Sequence, residues 1–238
     1  MVALTWRERR RAEAVAEIKD VARRLLVAGG PTAVSLRAIS REMGMTTSAL
    51  YRYYPSLDAL VAALRVDLFE EVGGVTQAAR GEAGGDDPIP RVAAMARAFR
   101  RWGLAHRQEF GLMLGPPVHG LGEADEPAER DSAAACLGVA FLEEFAELWR
   151  RGELRAPRAD VAQGHRLVPS LGDYVAGSDG IELPVVFAFL SAWTRLYGII
   201  AMEIFGHMDW AVSDPEAFFE MELTEFVRQL GGDDQAVR

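Results

Sequence analysis

Cysteine is almost absent from this chain. Cys136 is the single cysteine among 238 residues, so no disulfide can form within the chain and no paired-cysteine zinc motif exists. The N-terminus has no apolar run after its first charged residues, which argues against a signal peptide. Both absences suit a reducing compartment, and we expect a cytoplasmic protein.

Catalytic and metal-binding motifs are missing as well. The sequence contains no HExxH, Walker A, GxSxG or dinucleotide-binding fingerprint, and its four histidines lack the i, i+4 partners of a helical metal site. These are His106, His119, His165 and His207. We therefore predict no catalytic residue, no metal and no cofactor, and a protein that is not an enzyme.

Only one apolar run is long enough to resemble a membrane span. It extends over residues 183–205 and contains Pro184, Arg195 and Glu203. Because the charges of Arg195 and Glu203 would be costly in lipid, the run is predicted to be a buried helix of a soluble protein. We expect no membrane partner.

The charge of the chain is unevenly distributed. Its net charge is −9, with +4 over residues 1–60 and −13 over the remainder. A small basic head on a large acidic body is typical of a protein whose head binds DNA while its body is repelled from it.

Cap residues and apolar spacing predict three helices in the head, at about 5–28, 36–43 and 46–54. Thr5, Ser35 and Thr46 are suited to begin them as N-caps, and Gly44 supplies the tight turn between the second and third. A short helix, a glycine turn and another short helix, packed on a longer one, form a helix-turn-helix unit.

Helical periodicity continues through the rest of the chain. We predict helices at about 57–79, 89–106, 109–114, 132–151, 161–171, 183–205 and 215–230. The predicted fold is all-α, with a three-helix DNA-binding domain over residues 1–56 and a larger helical domain for ligand binding and dimerisation over residues 57–238.

Hydroxyl, phenol and guanidinium groups are concentrated around the third predicted helix. Recognition helices place their N-terminal residues against base edges, and hydroxyl and arginine groups bind phosphate oxygens. The predicted DNA-binding residues are Ser35, Arg37, Thr46, Thr47, Ser48, Tyr51, Arg52, Tyr53 and Tyr54. The alternative is that Tyr51 and Tyr54 belong in part to the core of the head.

The segment 18–64 resembles the TetR family of bacterial repressors, with its glycine turn, hydroxyl-rich helix start and Tyr-Arg-aromatic-aromatic-Pro-Ser ending. The resemblance implies a homodimer on a palindromic double-stranded DNA operator and an unidentified small-molecule effector bound by the C-terminal body. Leu57 stands where many members have lysine, so one phosphate contact is expected to be missing.

Residues 88–230 resemble an actinobacterial type of TetR C-terminal domain named for a Trp-His-Gly element. The matching pieces are 99–106, 110–118, 193–198 and 203–207, and Tyr197 stands where the histidine is usual. A phenol at that position can still donate a hydrogen bond into a cavity.

Large aromatic side chains and methionine in this body favour a ligand cavity, although an ordinary core explains each of them as well. The predicted ligand-binding residues are Phe99, Trp102, Phe110, Met113, Phe141, Phe145, Trp149, Phe187, Trp193 and Tyr197. The resemblance, rather than any single residue, favours the cavity.

The predicted helices at 183–205 and 215–230 are the candidates for a four-helix dimer interface. Its predicted residues are Gly198, Ala201, Met202, Phe205 and Phe218, and packing within one chain is the alternative. The expected function is a ligand-released repressor. The competing function is an α-helical carrier or enzyme with a vestigial head.

Overall fold

The computed structural model describes residues 5–115, 127–154 and 182–231. Within those ranges the chain forms helices joined by turns, and none of the described residues lies in a strand. The helices are α1 (Trp6–Gly29), α2 (Leu36–Glu42), α3 (Thr47–Leu50), α4 (Leu57–Ala83), α5 (Pro88–Ala105), α6 (Arg107–Leu114), α7 (Pro127–Arg150), α8 (Leu183–Ile204) and α9 (Pro215–Leu230). The predicted all-α fold is confirmed.

One predicted helix is longer than the one observed. The helix expected over residues 46–54 ends at Leu50, after which the chain continues in turns to Tyr53. Both Tyr53 and Tyr54 donate their backbone N–H to the carbonyl of Leu50. Arg52 and Tyr53 donate to carbonyls three residues earlier, the tightened spacing that commonly closes a helix end, and Pro55 disfavours a helical conformation at Tyr54. The helix predicted at 161–171 lies outside the described residues.

Contacts divide the chain into two units. The first comprises Met1–Glu71 and Ala105–Ala135, and the second comprises Val72–Leu104 and Cys136–Arg238. The predicted functional division into residues 1–56 and 57–238 stays a prediction.

The first unit has an apolar core beneath its short helices. Ile18, Leu26, Ile39 and Leu50 are fully buried, and they come from α1, α2 and α3. Gly44, with φ of 65°, makes the turn between α2 and α3, because a left-handed conformation is unfavourable for residues with a Cβ. The core and this turn fix how the two short helices are presented.

Arg23 ties three helices of the first unit together. Its Nη1 and Nη2 donate to the two carboxylate oxygens of Glu71 on α4, at 2.6 and 3.2 Å. Its Nε donates to Glu109 Oε1 on α6, at 3.2 Å. The Glu109 side chain is only 5% exposed, so Arg23 supplies the positive charge that this buried carboxylate requires.

The second unit is built on buried ion pairs as well as on apolar packing. Arg100 on α5 forms two hydrogen bonds, of 2.8 and 2.7 Å, to Glu203 on α8, and its guanidinium lies 5.0 Å from the ring centroid of Phe219 on α9. In α7, the buried Glu144 accepts hydrogen bonds from Arg80 and Arg91. These pairs join α4, α5, α7, α8 and α9.

By length and composition, α8 is the one described helix that could cross a membrane. Its internal charges are nevertheless paired. Arg195 donates to Glu222 on α9, and Glu203 accepts from Arg100 on α5. Both partners belong to helices of the second unit.

Arg23→Gln is expected to lower the free energy of unfolding by roughly 2–3 kcal/mol, because it leaves the buried Glu109 without its cation. Urea unfolding followed by circular dichroism measures the change. The neighbouring Arg24→Gln is the matched control: Arg24 is 60% exposed and pairs with Glu42 at the surface, so its loss should change the free energy by less than about 0.5 kcal/mol. Equal losses in the two variants would contradict the role given to Arg23.

Candidate DNA-binding surface and ligand cavity

Side-chain caps set the ends of α2 and α3. Ser35 Oγ accepts from the N–H of Ala38 at 3.1 Å, and Thr46 Oγ1 accepts from the N–H of Ala49 at 3.2 Å. Each cap satisfies a backbone donor that the first turn of the helix leaves unpaired. Both hydroxyls therefore serve local structure, and their remaining hydrogens can still be donated.

A hydroxyl pair holds α3 against α2. Ser40 Oγ is buried, donates to the carbonyl of Arg37 at 3.1 Å and lies 3.1 Å from Thr47 Oγ1. Because a hydroxyl has only one hydrogen, the Thr47 hydroxyl must donate to Ser40 while the bond to Arg37 is made. Thr47 is left with lone pairs alone, so in this arrangement it can accept from a base amino group but cannot donate to a phosphate.

The predicted DNA-binding residues differ in their exposure. Tyr51 is 53% exposed. Four more of the nine predicted DNA-binding residues are exposed and three are half-buried. The exposed four are Arg37, Thr46, Ser48 and Arg52, and the half-buried three are Ser35, Thr47 and Tyr53. The exposed members of the set near α3 thus lie at the start of that helix and in the turn that follows it.

Tyr54 stands apart from this surface. It is only 8% exposed, and burial together with the negative charge of Asp67 raises the pKa of its phenol above the ordinary value. These surroundings favour the core alternative for Tyr54, whereas the exposure of Tyr51 favours a surface role. Their contacts with DNA stay predictions.

A cavity of about 30 Å³ lies in the second unit among α5, α7, α8 and α9. Its lining is almost wholly apolar, and six aromatic rings surround it. These are Phe141, Phe145, Phe189, Trp193, Phe219 and Phe226. Trp193 is central to the cluster, with ring centroids 5.5 Å from Phe99 and 6.3 Å from Phe189.

One ion pair provides the polar edge of this cavity. Arg195 Nε and Nη2 both donate to Glu222 Oε2, at 2.9 and 2.5 Å, and Arg195 Nη1 donates to Gln229 Oε1. Among the described residues, Glu222 Oε1 accepts no hydrogen bond. A carboxylate oxygen at the border of an apolar cavity is an acceptor for a donor group on a bound molecule.

Three of the ten predicted ligand-binding residues line the cavity, namely Phe141, Phe145 and Trp193. Phe99 is fully buried behind Trp193, and Trp102 is also buried in α5. Trp149, Phe187 and Tyr197 are half-buried on α7 and α8 and are not among the lining residues. Phe110 and Met113 are buried in α6, which belongs to the first unit. No ligand is present, so these assignments stay predictions.

The α9 part of the cavity wall was not among the predicted ligand-binding residues. Phe219, Glu222, Leu223 and Phe226 come from α9, a helix predicted to lie in the dimer interface, with packing within one chain as the alternative. The spacing 219, 223, 226 does define one helix face. It does not reveal which neighbouring helices that face meets.

The predicted dimer residues lie at or near the surface of the second unit. Met202 and Phe205 are exposed, and Gly198, Ala201 and Phe218 are half-buried. A Cβ added to Gly198 would have no atom within 4 Å. Trp210, in the segment between α8 and α9, is 88% exposed. Such apolar exposure is typical of a face that another chain covers.

Comparison with known families finds two matches that together span most of the chain. Residues 18–64 match the profile described as bacterial regulatory proteins, tetR family, and residues 92–226 match the tetracyclin repressor-like C-terminal domain. HTH-type transcriptional regulators of Mycobacterium tuberculosis and Mycobacterium bovis are 31% identical over 227 residues, which cover 92% of this chain and 93% of each relative.

Solved structures share the same architecture. The crystal structure of the protein SCO4313 is similar with a TM-score of 0.72 and 28% identity, over 93% of this chain and 98% of that one. RolR, solved in complex with resorcinol, has a TM-score of 0.59 at 18% identity, over 96% of this chain and 93% of its own. The RolR comparison supports the fold alone.

Proposed function

The chain belongs to the TetR family of bacterial transcriptional regulators, and on that basis we propose that it is a repressor that binds a palindromic operator as a homodimer. A small, largely apolar ligand releases it. The family and its relatives are regulators and not enzymes, in agreement with the sequence prediction. The finer assignment of the C-terminal domain to the Trp-His-Gly type stays a prediction.

The observation that carries the proposal is the exposed surface around α3. Thr46 and Ser48 lie at the start of the helix, and Tyr51 and Arg52 follow it, all within the first 60 residues, whose net charge is +4. Hydroxyls, a phenol and a guanidinium are groups that bind base edges and phosphates. A homodimer would present two such surfaces to half-sites about one helical turn apart.

The second unit supports a homodimer through its exposed apolar residues. Met202, Phe205, Trp210 and Met221 are all exposed in the single chain, and they come from α8, α9 and the segment between them. A second copy would cover them, since symmetric dimers bury the same surface on both subunits.

We propose that α8 packs within the protein rather than in a membrane, because the charged residues of α8 pair with α5 and α9. We accordingly propose that the protein is cytoplasmic.

The residues that line the cavity favour a ligand with one aromatic ring and a hydrogen-bond donor, such as a phenol. Its volume of about 30 Å³ has room for little more than a water molecule, so a ring can enter only if lining side chains move. The rings around it offer stacking partners, and Glu222 Oε1 offers an acceptor. Resorcinol, the ligand of RolR, belongs to this chemical class.

Thr47→Ala and Tyr51→Ala are each expected to weaken operator binding by about 1–3 kcal/mol, because each removes a proposed base contact. The measurement is a gel shift on the region upstream of the chain's own gene, with unrelated DNA as competitor. Should the double variant bind as tightly as wild type, the contact surface is wrongly assigned. A carrier with a vestigial head would form no competitor-resistant complex even as wild type.

Ser40→Ala separates contact from positioning at Thr47. It removes the buried hydroxyl that holds α3 but keeps the Thr47 side chain. If Thr47 acts only by fixing α3, Ser40→Ala will weaken operator binding as much as Thr47→Ala does. We expect the smaller loss from Ser40→Ala, because the Thr47 hydroxyl remains available to DNA.

Single-ring phenols are expected to release a labelled operator from the protein. Aromatic compounds of the same size without a hydroxyl should need higher concentrations to release it. Ala192 lines the cavity, so Ala192→Leu should fill it and raise the phenol concentration needed for release. Ala78→Leu, at an exposed position on α4, is the control and should respond like wild type. Fluorescence anisotropy of the duplex measures release. Identical responses from both variants would exclude this cavity as the effector site.

A further inference from the structure

The first turns of α1 form an exposed basic surface that we call the arginine face, defined by Trp6, Arg7, Arg10 and Arg11. Every residue from Thr5 to Glu13 is exposed, and the first buried residue of the helix is Ile18. Trp6 is 65% exposed, and the Arg10 guanidinium lies 5.6 Å from its ring centroid. This part of α1 therefore contributes no buried side chain to the core.

The charges of the arginine face work against the helix that carries them. Arg7 lies in the first turn, where the helix dipole disfavours a cation. It also lies three and four positions before Arg10 and Arg11, and like charges at those spacings repel. Arg7 has no ion-pair partner among the described residues, and Arg10 reaches only Glu13, at 3.8 Å. Residues that oppose local stability are a sign of function.

The helix stays ordered there because its first turn is capped. Thr5 and Glu8 form a reciprocal capping box, and the hydrogen bond from the Thr5 backbone lowers the pKa of the Glu8 carboxyl. The arginines are thus displayed on a preformed helix rather than on a free chain end. Preorganised side chains lose less conformational entropy on binding.

The arginine face adjoins the surface that follows α3. The Arg11 guanidinium lies 5.7 Å from the ring centroid of Tyr53, in the turn directly after α3. Arg7 is four residues earlier on the same face of α1, about 6 Å further along its axis. The face therefore continues the α3 surface outward with positive charge.

We propose that the arginine face is a second DNA-binding surface, in which Arg7 and Arg10 bind backbone phosphates next to the bases that α3 contacts. The proposal rests on the proposed function and extends it to residues outside the helix-turn-helix. Duplex DNA is the occupant that fits, because the face is densely basic, is carried on a capped helix and adjoins the turn after α3. Phosphate contacts of this kind add affinity without adding sequence preference.

The test is the salt dependence of duplex binding by Arg7→Gln/Arg10→Gln. The slope of log K against log salt is negative, and each lost phosphate contact makes it shallower by about 0.9. The slope of the variant should therefore be shallower by about 1.8 for each head. Binding to the operator and to an unrelated duplex should weaken by the same factor, leaving the specificity ratio unchanged. An unchanged slope would overturn the proposal.

Arg101→Gln/Arg150→Gln is the matched control, since it removes two exposed arginines of the second unit and changes the net charge equally. Its slope should stay at the wild-type value, and an equal fall in slope would attribute the effect to net charge and refute the arginine face. Circular dichroism of the full-length variants checks the helix content. A lowered specificity ratio in Arg7→Gln/Arg10→Gln would indicate damage to α3 instead, and would also refute the proposal.

Failure of the proposed function gives a different result. In that case wild-type protein forms no operator complex that resists competitor DNA, whatever the two arginines do. If wild type forms that complex but the Arg7→Gln/Arg10→Gln slope is unchanged, the repressor proposal survives and the arginine face alone is rejected.

Discussion

The charge on Arg23 is the interaction on which the first unit most depends. Glu109 is buried on α6, Glu71 belongs to α4, and the guanidinium on α1 is hydrogen-bonded to both. Apolar contacts tolerate small shifts, whereas a buried carboxylate without its cation is strongly unfavourable. Arg23 therefore helps to set where α1 lies against α4 and α6; α2 packs on α1, and α3 packs on α2.

This placement links the two basic surfaces. Arg23 fixes the C-terminal half of α1, and Arg7 lies 16 residues earlier, about 24 Å along the same helix. The Ser40–Thr47 hydroxyl pair then fixes α3 to α2. The surface around α3 and the arginine face are thus held by the two ion pairs of Arg23, one hydroxyl pair and the apolar core around Ile18 and Leu26. Both surfaces consist of residues that contribute little to that core.

Local features of this structure could be predicted from the sequence, and long-range ones could not. The caps at Thr5, Ser35 and Thr46 follow from residue type within one turn of helix, and they were predicted. Arg23 and Glu109 lie 86 residues apart, and nothing in the periodicity of either helix pairs them. The cavity wall needs four helices to come together, so its α9 residues were not among those predicted to bind a ligand. The predicted end of α3 is four residues too late, because residue types do not show where the backbone hydrogen bonds tighten from four-residue to three-residue spacing.

The most direct test of the central claim, that this chain is a dimeric DNA-binding regulator, is a hydroxyl-radical footprint of the wild-type protein on the region upstream of its own gene. Two protected segments should appear, related by an inverted repeat and centred about one helical turn apart or a multiple of it. Protection should disappear as salt is raised. A single protected segment without a symmetric partner would contradict the dimer, and uniform protection would contradict sequence-specific binding.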